Sequence, residues 1–261
     1  MPNIIHYVLL KQHYISFAHY ISLKSVIKNQ KPDLIMIHCD CDKLDGEYWT
    51  RIKSEEKHVN ITIRTIELHD EIFGVKYSRD YKLWHASDVL RNKVLLEFGG
   101  IYLDRDVYVV KSLDKFRRYE MVAELEYSNF GNQIQIANKN ARFLKLYLLT
   151  YELYNSWKWY YNAEILPTQM IINKYPYLIH IVKEEFGLNY NTVFQLLYID
   201  NSKTWQNDYY AFHLLMRNNS LKNNEKFVKN YDKLAVEEIT EDHVKTLNTT
   251  FGQMVRLLDS M

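Results

Sequence analysis

Residues 85–106 read HASDVLRNKVLLEFGGIYLDRD, and this segment indicates how the chain is built. From about Asp80 to Phe98 the apolar residues recur with the spacing of an amphipathic helix. Gly99 and Gly100 follow directly, and such residues typically end a helix and turn the chain. The short apolar run Ile101–Leu103 then predicts a strand. The expected unit is therefore a helix, a tight turn and a strand.

The remainder of the first half alternates strand and helix patterns. Strands are predicted at 3–10, 34–38 and 61–68, where apolar and β-branched residues dominate. Helices are predicted at 15–28 and 47–52. Strands that alternate with helices imply a mainly parallel sheet covered by helices, so the predicted fold class is α/β.

The second half has a less regular pattern. Strands are predicted at 121–125, 133–137, 193–199 and 209–215, and helices at 143–157, 168–186 and 240–258, the last with a break near Gly252. No stretch is rich enough in Gly, Pro or Ser to mark a linker, and the sequence shows no internal repeat. We therefore expect a single domain that spans residues 1–261.

The composition excludes several classes of protein. The chain has 261 residues, with 33 Lys+Arg against 32 Asp+Glu and a formal net charge of +1. A near-neutral chain lacks the basic surface on which affinity for nucleic acid rests, so no nucleic-acid partner is expected. No run of about 18 apolar residues is present, so no membrane span is expected. The N-terminal residues lack a basic region and do not resemble a signal peptide.

The two cysteines, Cys39 and Cys41, are separated only by Asp40. Residues two apart on an extended strand are poorly placed for a disulfide, which needs Cα atoms about 5.5 Å apart. We therefore expect two free thiols. The neighbouring His38 and Asp42 could complete a zinc site, but without a second cysteine pair this is a minor alternative.

Asp104 and Asp106 follow the predicted strand 101–103 directly. Two residues apart on an extended segment, their carboxylates would point to one side. Carboxylates at the carboxyl end of a strand in an α/β sheet can hold Mg²⁺ or Mn²⁺. The pair alone is not specific, because a solvated strand end would look the same. Residues 40–42 form a second D-x-D, which we interpret as a loop or a helix cap.

The preceding helix adds a more specific context. Asp88 and Arg91 are three residues apart and share a helix face, which by itself would suit a plain salt bridge on a solvated surface. The turn at Gly99-Gly100 would bring this face, together with Tyr102, toward Asp104. These side chains would then line one cleft.

The complete pattern over residues 87–106, S-D-x-x-R-x-x-x-L-x-x-x-G-G-I-Y-L-D-x-D, resembles the DXD-containing sugar-binding region of glycosyltransferase family 32 and its relatives. Further similar segments lie at 2–6, 111–114, 132–143, 210–213 and 247–252. The resemblance implies a GT-A-type nucleotide-diphospho-sugar transferase fold, with a single Rossmann-like mixed sheet flanked by helices. It also implies a nucleotide-sugar donor, a divalent metal ion and transfer with retention at the anomeric carbon.

Carried over position by position, the resemblance implies a metal site and a donor-sugar site. Mn²⁺ or Mg²⁺ would bind Asp104 and Asp106, with His213 as a third ligand unless that histidine is simply part of a mixed strand. The residues expected to contact the donor sugar are Asp88, Arg91, Tyr102 and Asn132. The residues expected to take part in catalysis are Asp104, Asp106 and Asp88.

The expected function is that of a metal-dependent retaining glycosyltransferase. It would move a hexose from a nucleotide-sugar, with a UDP-sugar as the expected donor, to a hydroxyl of a glycan, lipid or protein. One alternative is a non-catalytic module that binds nucleotide-sugars or glycans on the same fold. Another is a haloacid dehalogenase-type phosphatase, although in those enzymes the D-x-D normally ends the first strand. The compartment stays open: the Golgi lumen if an anchor precedes the chain, and the cytoplasm otherwise.

Overall fold

Twelve strands are found in residues 1–215 and 240–259, which the computed structural model describes. They are β1 (Ile4–Leu9), β2 (Leu34–Cys39), β3 (Ile61–Thr65), β4 (Glu71–Ile72), β5 (Val75–Lys76), β6 (Gly100–Leu103), β7 (Val107–Val109), β8 (Met121–Glu126), β9 (Asn129–Phe130), β10 (Ile134–Ala137), β11 (His180–Val182) and β12 (Ala211–His213). Eight of them form one sheet in the order β11-β8-β10-β6-β1-β2-β3, with β9 paired to β8. Two small ladders, β7 with β12 and β4 with β5, are separate from it.

The helices of the same residues vary in length and type. The α-helices are α1 (Phe17–Asn29), α2 (Glu47–Glu55), α3 (Lys82–Phe98), α4 (Arg142–Thr150), α5 (Tyr190–Phe194), α6 (Trp205–Asp208), α7 (Glu241–Thr246) and α8 (Thr250–Asp259). Single turns of 3₁₀ helix lie at Asp114–Phe116, Tyr151–Leu153 and Pro176–Leu178, and of π-helix at Tyr161–Ile165, Thr168–Ile172 and Gln195–Ile199. None of the described helices is long and apolar enough to cross a lipid bilayer.

The sheet is parallel in its first half and mixed in its second. β1 pairs in parallel with β2 and with β6, and β2 pairs in parallel with β3. Parallel neighbours need a crossover connection, which is why helices alternate with strands in this part of the sequence. β10 then runs antiparallel between β6 and β8. The predicted α/β class and mixed sheet are confirmed.

Helices cover both faces of the sheet. Along β1, the side chains of Ile5, Tyr7 and Leu9 join one apolar cluster, and Val8 joins the other. The first cluster includes residues of α1, α2 and α8, whereas the second includes residues of α3 and α4. A central strand buried on both sides explains why its sequence is almost continuously apolar.

The turn between α3 and β6 requires glycine. The backbone N–H of Gly99 donates to the carbonyl of Leu95 (2.8 Å), which closes the last turn of α3. Gly99 and Gly100 have φ angles of 68° and 117°, and a Cβ on Gly100 would lie 2.5 Å from the carbonyl oxygen of Ile4. Only glycine combines such angles with such a close approach. The predicted helix, turn and strand are confirmed, and they fix where the segment after β6 begins.

Two predictions for the second half are wrong in the type of element. The run 193–199, predicted as a strand, is helical. It consists of the end of α5 and the π-helical turn that follows, and the side chain of Asn189 caps the N-terminus of α5. A short apolar run cannot be assigned to strand or buried helix by periodicity alone. The predicted helix 168–186 stops at Ile172, and its last part instead contributes β11, which pairs in parallel with β8. Pro176 lies between the two parts, where it opens a 3₁₀ turn.

The C-terminal helix is broken at a different place from the one predicted. The break lies at 247–249, between α7 and α8, and Gly252 is inside α8. The hydroxyl of Thr249 accepts a hydrogen bond from the backbone N–H of Gly252 (3.3 Å). A capping threonine therefore starts the new helix, and the glycine does not end the old one.

The expectation of two free thiols is wrong, because Cys39 and Cys41 form a disulfide. Cys39 ends β2, and the chain bends at Asp40. The bend brings the two Cα atoms to 5.1 Å, whereas two residues along an extended strand span about 6.6 Å. A carboxylate oxygen of Asp40 accepts a hydrogen bond from the backbone N–H of Lys11 (2.9 Å), which stabilises the bend. With both sulfurs in a disulfide, the zinc alternative is also wrong.

Candidate active site

Asp104 and Asp106 lie on a tight turn between β6 and β7. The backbone N–H of Asp104 donates to the carbonyl of Gln133 (2.9 Å), and that of Val107 donates to the carbonyl of Asp104 (3.0 Å). Arg105 and Asp106 therefore form a turn, and the extended segment that we expected there is not present. The physical reason is that β7 leaves the main sheet to pair with β12.

His213 faces this turn from β12. It pairs with Val107 in the ladder, and its Nε2 lies 3.3 Å from a carboxylate oxygen of Asp106. One potential ligand atom from each of Asp104, Asp106 and His213 lies within 4.8 Å of the others. Burial by itself would lower the pKa of His213, but the Asp106 carboxylate beside it raises the pKa to about 9. The same negative charges that hold a proton here would favour a bound cation.

The chemistry of these three groups fits the implied divalent metal. Carboxylate oxygens suit Mg²⁺ and Mn²⁺, whereas an imidazole nitrogen favours a transition metal. Mn²⁺ satisfies both kinds of ligand. The three predicted metal ligands are therefore together and form a suitable set.

Arg91 is the centre of a buried network beside this cluster. Its side chain, in a residue only 5% exposed, lies 3.1 Å from Asp88 and 3.2 Å from Asp104. One guanidinium nitrogen also donates to the carbonyl (2.7 Å) and the side-chain oxygen (3.1 Å) of Asn132, and the guanidinium carbon lies 4.6 Å from the Tyr102 ring centre. A charge removed from water must be paired in this way. The Asp88–Arg91 pair exists, but on a buried face and not on a solvated one.

The remaining bonds of the network fix the carboxylates. The Asn132 amide donates to Asp88 (3.0 Å), and the Tyr102 hydroxyl donates to Asp104 (2.7 Å). Burial raises the pKa of Asp88 to about 7, although the nearby Arg91 opposes the rise. Burial likewise raises the pKa of Tyr102 well above its usual value, so the phenol remains a hydrogen-bond donor. The four side chains predicted to contact the donor sugar are therefore joined to one another and to Asp104.

Two further carboxylates, Glu126 and Glu164, lie beside this network. Glu126 ends β8 and accepts a hydrogen bond from the side chain of Gln133 (2.8 Å). Glu164 lies in the π-helical turn that packs against α3, and it is 8% exposed. Burial, followed by the Glu126 and Asp88 charges, raises the pKa of Glu164 to about 9. Neither carboxylate was predicted from the sequence, because neither belongs to the pattern over residues 87–106.

The second D-x-D has no comparable surroundings. Asp40 pairs with Lys11 at 3.4 Å, and Asp42 is exposed in the bend that follows β2. Its interpretation as a loop is confirmed.

Residues 19–123 match the family described as "Glycosyltransferase sugar-binding region containing DXD motif". The matched range includes α3, the glycine turn, β6 and the Asp104/Asp106 turn. The resemblance noted in the sequence is thereby confirmed for this part of the chain.

A curated relative matches over a longer range. The chain is 26% identical over 204 residues to "Glucan organizing enzyme 1" of Cryptococcus neoformans var. grubii. The alignment covers 70% of this chain and 53% of the relative. The chain thus spans about half the length of that protein.

Solved structures of glycosyltransferases share the fold. The galactosyltransferase LgtC, in complex with donor and acceptor sugar analogues, has a TM-score of 0.53 at 13% identity, over 99% of this chain and 97% of that one. The bifunctional glycosyltransferase WbbM has a TM-score of 0.52 at 12% identity, over 98% of this chain and 51% of that one. At such identities the likeness shows the fold alone, and the GT-A-type architecture is confirmed.

Proposed function

We propose that this chain, whose residues 19–123 match the glycosyltransferase sugar-binding region containing a DXD motif, is a metal-dependent retaining glycosyltransferase. It transfers a hexose from a nucleotide-sugar, with a UDP-sugar as the proposed donor, to a hydroxyl of an acceptor, and residues 1–261 form one catalytic domain. The observation that carries the proposal is the cluster of Asp104, Asp106 and His213 beside the Arg91 network.

The proposed roles follow from the contacts. Asp104, Asp106 and His213 would hold Mn²⁺, which would supply positive charge opposite the leaving diphosphate. Asp88 accepts hydrogen bonds from hydroxyls of the donor sugar, and Arg91 with Asn132 holds that carboxylate in place. Tyr102 fixes Asp104 through its hydroxyl. We propose attack on the same face of the sugar as the leaving group, so no residue is assigned as a nucleophile.

The first test is a screen of UDP- and GDP-sugars for hydrolysis with Mn²⁺, Mg²⁺ or EDTA. We expect one donor to be hydrolysed with Mn²⁺ and not with EDTA, and the anomeric configuration of a transferred sugar, read by NMR, to be retained. Asp106→Asn should lower turnover by about 100-fold or more, the usual effect of removing a group that stabilises developing charge. Unchanged turnover in this variant would contradict the proposal.

The second D-x-D provides a matched control. Asp42→Asn makes the same chemical change in an exposed bend, so donor hydrolysis should be unaffected. Thermal unfolding of both variants separates loss of activity from loss of folding.

The alternatives predict different results. A non-catalytic binding module would bind the donor in calorimetry, without hydrolysis or transfer. A haloacid dehalogenase-type phosphatase would hydrolyse p-nitrophenyl phosphate. The solved structures that share this fold are glycosyltransferases, which favours the transferase.

For the compartment we propose the lumen of the secretory pathway, such as the Golgi, in preference to the cytoplasm. The Cys39–Cys41 disulfide supports this choice, because disulfides persist in oxidising compartments and are rare in the cytosol. Fractionation of the native cells, with alkylation of free thiols before lysis, tests it. Recovery in the cytosolic fraction with both thiols alkylated would contradict it.

A further inference from the structure

A cluster of aromatic rings lies on the surface beside the buried network. Trp159 contacts three other rings, at centroid distances of 5.2 Å to Tyr81, 5.0 Å to Trp84 and 5.8 Å to Tyr160. Trp84 is 43% exposed and Tyr160 is 56% exposed. We call Tyr81, Trp84, Trp159 and Tyr160 the ring cluster. A group of large rings exposed on a surface, away from the apolar core, is typical of a site that binds a ligand.

Two separate elements connect the ring cluster to the donor site. On α3, Trp84 precedes Asp88 by four residues, so the exposed ring and the buried carboxylate share a helix face. Tyr160 directly precedes the π-helical turn and lies four residues before Glu164, and its carbonyl accepts a hydrogen bond from the backbone N–H of Glu164 (3.0 Å). The turn packs against α3. On both elements an exposed ring therefore lies one helical turn from a buried carboxylate of the site.

The chemistry of this arrangement selects the ligand. Indole and phenol rings present a flat apolar face and a polar group at the edge. A pyranose is complementary, because one face carries C–H groups and its rim carries hydroxyls. The ring cluster contains no Lys, Arg or His, so it offers no cationic group that would pair with an acidic ligand. We propose that the ring cluster binds a neutral glycan, and that this glycan is the acceptor of the transferase proposed above, on which this inference rests.

Tryptophan fluorescence provides a direct test. The chain has five tryptophans, and Trp49 and Trp205 are buried. A change in emission on adding sugar therefore reports mainly on Trp84, Trp157 and Trp159. The probes are short neutral malto-, cello-, galacto-, manno- and chito-oligosaccharides, added with Mn²⁺ and UDP present. We expect a saturable change with at least one neutral series and none with oligogalacturonides.

Variants locate the binding site. Tyr160→Ala keeps all five tryptophans, so the same titration should show affinity about tenfold weaker, the size expected for one lost aromatic contact. Trp84→Ala, read by calorimetry, should weaken binding similarly, and Trp84→Phe should restore part of it. The matched control is Trp157→Ala: Trp157 is 79% exposed and is not part of the ring cluster, so its removal should leave the affinity unchanged.

Several outcomes would overturn the inference. They are no response to any neutral series, affinity that is unchanged in both Tyr160→Ala and Trp84→Ala, a stronger response to oligogalacturonides, or a response only to phosphatidylcholine vesicles. Donor hydrolysis by the wild type is measured in parallel. If the donor is hydrolysed and no oligosaccharide binds, only the inference fails, whereas absence of hydrolysis with every nucleotide-sugar contradicts the proposed function itself.

Discussion

Replacing Glu164 by glutamine should stabilise the protein by an amount that grows as the pH rises from 5 to 7.5. The side chain is buried, and in the described part of the chain no hydrogen bond or ion pair to its carboxylate is found. Burial, with the charges of Glu126 and Asp88, raises its pKa from 4.5 to about 9, although Arg91 and His213 oppose the rise. Glutamine has nearly the same size and does not ionise, so Glu164→Gln removes the titration and little else.

Proton linkage determines the direction and size of this pH dependence. Between pH 4.5 and about pH 9, the folded protein keeps a proton on Glu164 that the unfolded chain has released. The free energy of unfolding of the wild type therefore falls as pH rises through this window, by about 1.4 kcal/mol per pH unit. Over the interval from pH 5 to pH 7.5 the loss is about 3 kcal/mol. The variant does not share this loss.

The assay is urea denaturation followed by circular dichroism at pH 5 and pH 7.5, with EDTA present because a bound cation would add positive charge to the site. We expect the two proteins to differ by less than about 1 kcal/mol at pH 5, and the advantage of Glu164→Gln to be about 3 kcal/mol larger at pH 7.5. The control is Glu152→Gln, which makes the same change at an exposed position.

Two results would contradict this account of Glu164. A difference that stays constant from pH 5 to pH 7.5 would mean that Glu164 is not buried as a neutral acid. A variant that is less stable at pH 7.5 would mean that Glu164 is ionised and paired.

Four further predictions concern stability and the thiols. His19 is buried with both ring nitrogens lacking a partner among the described residues, and burial lowers its pKa from 6.5 to about 3. Below pH 6.5 the unfolded chain binds a proton that the folded protein does not. Between pH 6.5 and pH 5 the free energy of unfolding of the wild type should therefore fall by about 2 kcal/mol relative to that of His19→Gln, as measured by urea denaturation. Arg91→Met should lower the free energy of unfolding by about 3–5 kcal/mol at pH 7.5, since Asp88 and Asp104 lose their buried partner; a loss below about 1 kcal/mol would contradict the network. Gly100→Ala should destabilise by more than about 2 kcal/mol in thermal or urea unfolding, and clearly more than Gly74→Ala, whose added Cβ meets no atom within 4 Å. Thiol titration of the unreduced, unfolded protein should find no free thiol and, after reduction, two, whereas two thiols before reduction would contradict the disulfide.

The parts of the fold that the sequence predicted correctly depend on local signals. The segment from α3 to β6 combines a helical apolar pattern, two glycines and a short apolar run, and each of these acts over a few residues. The run 193–199 was assigned wrongly because its residues suit a strand and a buried helix equally, and only packing against α8 and its neighbours selects the helix. The disulfide was not predicted for a related reason. The bend at Asp40 depends on a hydrogen bond from the backbone N–H of Lys11, which follows β1 and is distant in sequence.

The residues of the candidate site likewise fall into those that a local sequence pattern predicted and those that distant packing brings in. Asp104, Asp106, Asp88 and Arg91 were predicted because they belong to one ordered pattern within 20 residues of sequence. His213 was indicated only by a resemblance, and the β7–β12 ladder brings it to Asp106. Glu164 had no signal at all, because its burial beside Asp88 arises when a distant turn packs on α3.

The amino-acid sequence alone predicted the α/β class, the helix–turn–strand unit and the acidic pair that follows it. It could do so because apolar periodicity and glycine angles act locally, and because the whole pattern lies in one uninterrupted segment. The three-dimensional packing was needed to show that Arg91 is buried between Asp88 and Asp104, that His213 and Glu164 join them, and that a ring cluster lies beside them. Burial and charge pairing depend on which distant elements come together, and no local pattern carries that information.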